Sequence, residues 1–218
     1  MNNYSTLASV AGVSMPSEGA SQSQEAIAII SSFDFFSKKI LPNIKLQNIL
    51  AVKEWIPNTN TIIYDNKIFL DSSGKWIRDT SFPKSQIPST QEAFRAFKES
   101  VSISTDSNTS FVTLSVSHQS PYIAKKWLDI TILNINESMR QEKRYLAEKS
   151  IIFLKEISKT TNLQSSKDAI TALLESQLKS LMLVSAKEDY VYKILESPLV
   201  PEIKSSPRRS LIVVSGIF

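Results

Sequence analysis

From Tyr122 to Ser158 the chain contains neither glycine nor proline. A run of this length without a helix breaker predicts one long helix, which at 1.5 Å per residue reaches about 55 Å. Pro121 is placed to open it at the first helical position, with Ser120 as its N-cap. Ala124, Leu128, Ile132, Ile135, Met139, Leu146, Phe153 and Ile157 fall near a single stripe. Residues 134–149 (NINESMRQEKRYLAEK) are strongly polar. Such a helix is longer than a compact domain of this size needs, so part of it should project. There it is stable only against a partner helix or a neighbouring subunit. The apolar spacing lacks the sustained heptads of a coiled coil.

The rest of the chain reads around this element. A polar break at Thr160–Ser166 leads to a return helix over Ser166–Lys187, striped by Ile170, Leu174, Leu178, Leu181 and Met182. Tyr190–Leu195 (YVYKIL) reads as a final strand. At the other end, residues 1–22 are small and polar. Ser21–Leu41 follows as an amphipathic helix with Ser21 as N-cap, an apolar face of Ala26, Ile29, Ile30, Phe33, Phe36 and Ile40, and a stop at Pro42. Asn43–Trp55 suggests a second short helix, closed by Pro57. Thr61–Asp65 and Lys67–Leu70 read as short strands, with a turn at Ser72–Gly74. Thr90–Ser100 reads as a helix with Phe94 and Phe97 inward. Val101–Thr105 and Phe111–Val116 alternate with period two, predicting a hairpin with one solvated face and one face against helices. The fold class expected is α+β.

Composition narrows the chemistry. With 218 residues and 42% hydrophobic content the chain can bury one sizeable core. The net charge is +4, but Lys and Arg are interleaved with Glu along helices, as on solvated faces, so nucleic acid is not an expected partner. There is no cysteine, which excludes disulfides, thiolate metal sites and cysteine nucleophiles. Four scattered glycines make no phosphate-cradling loop. The single histidine, His118, is expected to be an exposed loop residue rather than a general base, and one His leaves no zinc site of ordinary type. Carboxylates such as Glu25, Asp34, Glu142 and Glu148 sit on helix surfaces without forming an acid/base couple. No catalytic, cofactor or metal residue is expected, and the N-terminus shows no signal peptide.

The tail carries the most specific signal. Pro198, Pro201 and Pro207 make residues 198–218 a stiff, extended connector, followed by an apolar run from Leu211 to Phe218. That run reads as the start of a transmembrane helix or as a buried C-terminal strand. Pro198-x-x-Pro201, four residues, then Ser206-Pro207-Arg208 resembles the membrane-proximal motif of the Wzz-type chain length determinants, also called polysaccharide co-polymerases. The family usually has Lys where Arg208 stands, and Gly216 is in place for the first of its later glycines. The Gly/Ser-rich lead into Glu25–Ile30 (EAIAII), with Ser and Phe following, is similar to the family too, as is the order of elements.

The resemblance implies an inner-membrane protein facing the periplasm. Its parts would be an N-terminal membrane-proximal segment (1–20), a membrane-proximal mixed α/β base domain (21–118), a long helical extension (119–187), a strand returning to the base (188–197), and the connector and start of a second transmembrane helix (198–218). It also implies no enzymatic activity and no cofactor. The protein would form a homo-oligomeric ring that works with a Wzy-type polymerase and the growing polysaccharide, setting the length of the lipopolysaccharide O-antigen. The alternatives are a co-polymerase for capsule or exopolysaccharide, with a cytoplasmic kinase beyond residue 218, and a soluble enzyme whose apolar tail is a core strand.

Overall fold

The computed structural model describes residues 18–186, 191–192 and 194–200, with side chains from residue 22 onward. The fold is mixed α+β, with a long helix and three separate two-stranded antiparallel sheets. Helix α1 spans Glu18–Ile30, so it starts ahead of Ser21, the expected N-cap. The expected single helix to Leu41 breaks at Ser31–Ser32. Both hydroxyls there donate back to helix carbonyls, Ser31 to Ile27 and Ser32 to Ile29, and Ser32 Oγ then accepts from Phe35 N as the cap of the next segment. That segment, α2 (Phe33–Phe35), continues as a π-helical turn at Phe36–Ile40.

The helix expected over Asn43–Trp55 is cut short. Only α3 (Leu46–Leu50) is α-helical, and the chain then runs into strand β1 (Val52–Ile56). β1 pairs with β2 (Thr61–Tyr64), setting Trp55 opposite Ile62 and Ile56 opposite Thr61. Tertiary pairing of β-branched and aromatic side chains overrides the helical spacing. Asn60, left-handed at φ 49°, allows the reversal that makes the pairing possible. β3 (Phe69–Leu70) and β4 (Lys75–Trp76) form a minimal hairpin whose turn uses Gly74 at φ +65°.

Helix α4 (Thr90–Ser100) opens with a reciprocal capping box between Ser89 and Glu92. Arg78 adds two 2.8 Å hydrogen bonds to the same carboxylate. β5 (Val101–Thr105) and β6 (Val112–Val116) form the expected hairpin. Val101, Ile103 and Val116 pack toward the core, and the serines face outward. Phe111 falls outside the strand and is exposed. The six-residue connection folds on Asp106, whose carboxylate accepts from Asn108 N and Thr109 N.

Helix α5 runs unbroken from Pro121 to Thr160, 40 residues, and α6 (Gln164–Ala186) packs back along it. The main core gathers Ala26, Phe36, Ile40, Phe97, Trp127, Ile135 and Met139. Its aromatic rings form a chain: Phe36–Phe97 at 5.0 Å and Phe97–Trp127 at 5.5 Å between centroids. On α5 this core stops at Met139. Farther along, burial falls to Ala147 and Ile151, with Ile170 and Val184 on α6. The long helix is therefore rooted in the base by its first half, while its second half packs on α6.

The strand expected over Tyr190–Leu195 is not formed by its described residues, Val191, Tyr192, Ile194 and Leu195. In its place, a side chain of α5 supplies the backbone hydrogen bonds that a neighbouring strand would have made.

Candidate functional site

The helical hairpin of α5 and α6 is rooted in the base by the first half of α5. At its N-terminal root, Ser120 takes the N-cap position and is buried, yet its hydroxyl makes no capping bond. His118 acts there instead. Its Nδ1 accepts from Ser120 N at 2.9 Å, and its Nε2 lies 2.9 Å from Asn48 O, which fixes the neutral tautomer with the proton on Nε2. The ring stands edge-on to Trp127 at 4.9 Å. His118 is thus half-buried and structural, not the exposed loop residue expected. Burial outweighs the backbone hydrogen bonds and holds its pKa below the ordinary value of 6.5.

Two fifths of the way along α5, Asn136 is buried beside Ile135. Its Oδ1 accepts from Val191 N and Tyr192 N, both at 3.0 Å, and its Nδ2 donates to Tyr192 O at 3.2 Å. One amide side chain therefore satisfies three backbone groups of the returning chain. The Tyr192 hydroxyl donates to Ser23 O on α1, and desolvation pushes its pKa up to about 12. Sequence reading missed Asn136. No local signal marked it, because the backbone groups it serves lie 55 and 56 residues away in sequence.

Along the hairpin, buried and half-buried positions do follow a heptad spacing. Residues 143, 147, 150, 154 and 157 on α5, and 170, 174, 177, 181 and 184 on α6, make the repeat, with 151, 158, 166 and 180 also buried or half-buried beside it. Ile157, Ile170, Leu174 and Leu181, expected in the inward stripes, lie on the seam, while Lys143, Ser150 and Gln177 interrupt its apolar spacing. Leu154 lies on the seam as well, but other large apolar residues lie off it. Leu146 and Phe153, expected in the inward stripe, are 49% and 63% exposed, and Ile152 is 67% exposed. On α6, Leu178 and Met182 are likewise outside. Ion pairs punctuate this surface: Arg144 with Glu148 at 2.9 Å and Lys159 with Glu156 at 3.3 Å. The hairpin thus buries Leu, Ile and Val together with Ala, Ser, Lys and Gln, and also presents Leu, Phe, Ile and Met outward.

Of the proline motif, Pro198 is half-buried and, with Leu199, lines an open cleft of about 790 Å³ beside His118 and Lys125. Pro201, Ser206, Pro207 and Arg208 lie outside the described residues. Residues 1–17, and the apolar run 211–218 read as the start of a second span, also lie outside them. Among the described residues there is no group of three His, Cys, Asp or Glu that could hold a metal ion.

No protein-family model matches the chain, and no curated protein matches it in sequence. The labels of chain length determinant and lipopolysaccharide biosynthesis therefore gain no support from known proteins. The inner-membrane, periplasm-facing placement is corrected by the helices themselves. Among the described residues, none is long and apolar enough to cross a membrane. The two longest, α5 and α6, are punctuated by charged residues throughout, which a bilayer interior does not accommodate.

Proposed function

We propose that this chain is a non-enzymatic regulator of polysaccharide chain length, acting as a homo-oligomer beside a Wzy-type polymerase. The observation that carries the reading is the projecting hairpin whose large apolar side chains, Leu146, Ile152, Phe153, Leu178 and Met182, face outward. A second copy of the chain covers them in this reading, and the interleaved Arg, Lys and Glu set the register between copies. The order of elements and the proline spacing, including Pro198-x-x-Pro201, give the reading its biological direction. Control of polymer length then comes from assembly, not from bond chemistry.

The test is genetic. The size distribution of the polysaccharide is compared on a gel between cells that lack the gene and cells that have regained it. A preferred length that disappears and returns supports the reading. An unchanged distribution overturns it.

A further inference from the structure

A second surface, remote from the outward faces of the hairpin, lies where the β1–β2 hairpin meets the first turn of α5. It is a cleft of about 460 Å³, lined among others by Asn43, Lys45, Asn48, Asn60, Asp71 and Lys126. That volume is within the range of small-ligand sites. Its three amides are each half engaged by the protein. Asn60 Oδ1 accepts from Trp55 Nε1 at 2.9 Å, Asn48 Oδ1 accepts from the Tyr64 hydroxyl at 2.7 Å, and Asn43 Nδ2 donates to Lys39 O at 2.8 Å. These bonds fix the orientation of each amide. The Nδ2 donors of Asn60 and Asn48 and the Oδ1 acceptor of Asn43 have no partner among the described residues. Lys45, Lys126 and Asp71 likewise form no ion pair there. Beside the cleft, Trp55 and the exposed Tyr122 stand 6.1 Å apart at 60°.

Donors and acceptors held in fixed orientation, near the half-buried Trp55 and the exposed Tyr122, suit a ligand with hydroxyls on its edge and a C–H face to lay on a ring. We infer that this cleft binds an oligosaccharide segment. The lysines outnumber the single carboxylate, which adds preference for a sugar carrying an anionic group. The inference deepens the polysaccharide reading above and assigns the glycan a contact on the base, apart from the self-association surface.

The experiment titrates the isotope-labelled full chain with maltohexaose and with hexagalacturonate, which differ in the C6 carboxylate and in configuration at C4, so that Lys126→Ala isolates the effect of the charge, and follows the Trp55 indole and the Asn48 and Asn60 side-chain amides by NMR. Saturable shifts of these signals are expected, larger at equal concentration for the acidic sugar. Tyr122→Ala should weaken binding of both sugars about tenfold, and Lys126→Ala that of the acidic sugar alone. Both side chains are exposed, so neither change threatens folding. No shift with either sugar, or shifts indifferent to both variants, overturns the inference. If the cleft binds neither sugar while the cellular polymer still depends on the gene, the cleft is wrong and the functional reading stands. If binding is found but the polymer is indifferent, the opposite holds.

Discussion

At the scale of single residues, two ionisable groups contribute to stability in separate pH windows. His118 is held neutral, accepting from Ser120 N and packed on Trp127. The unfolded chain takes up a proton near pH 6.5 and the folded chain resists it, so stability is full above that pH and declines as pH falls through it. Urea midpoints at pH 7.5 and 5.5 should therefore differ, and a His118→Asn variant should lose most of the difference. An equal slope in the variant would sink this account. Glu92 acts lower down. Hydrogen bonds from Arg78, then from Ser89 N, hold its carboxyl at about 2. A depressed carboxylate stabilises above its unfolded value near 4.5 and loses that contribution as pH falls toward 2. Arg78→Ala should cost about 1–3 kcal/mol at pH 7, because it leaves a mostly buried carboxylate short of two donors. Its measured cost should shrink at pH 2.5. Asn136→Ala removes the partner of three backbone groups and should also cost about 1–3 kcal/mol, with faster amide exchange at Val191 and Tyr192.

At the scale of elements, the long helix and the β5–β6 hairpin were legible for local reasons: no breaker in one, strict alternation in the other. What failed depended on contacts distant in sequence. Val52–Ile56 carries a spacing compatible with helix, and only pairing with Thr61–Tyr64 makes it a strand. Val191–Tyr192 looks like a strand, and its ladder partner is a single side chain. The hairpin seam was legible in part, at Ile157, Ile170, Leu174 and Leu181, but Lys143, Ser150 and Gln177 interrupt it and Leu146 and Phe153 mark the wrong side. His118 was placed outside because neither Asn48 nor Trp127 adjoins it in sequence. Because Leu146 and Phe153 are exposed on the single chain, Leu146→Glu with Phe153→Glu should leave its helical circular dichroism unchanged. The same pair should shift the mass measured by light scattering from oligomer toward monomer. A mass equal to that of the unaltered chain would remove this face from the interface.

At the scale of the whole molecule, stability is concentrated in the base. Phe36 is 1% exposed and touches the rings of Phe94 and Phe97, so Phe36→Ala should cost about 3–5 kcal/mol in a urea titration. The hairpin draws on a thinner seam, and amide exchange should quicken along α5 from Met139 toward Thr160. Protection as strong near the tip as at Trp127 would contradict that division. The unbroken rod has a mechanical meaning as well. From Asn136 to Thr160 is about 36 Å of helix, and the segment before it is clamped in the core. α5 is thus a lever whose fulcrum sits where Asn136 grips the returning chain. A tilt of about 5° at that point sweeps the tip through about 3 Å. Neighbours pressing on the hairpin would pull directly on Val191 and Tyr192, and so on the segment that leads toward the prolines.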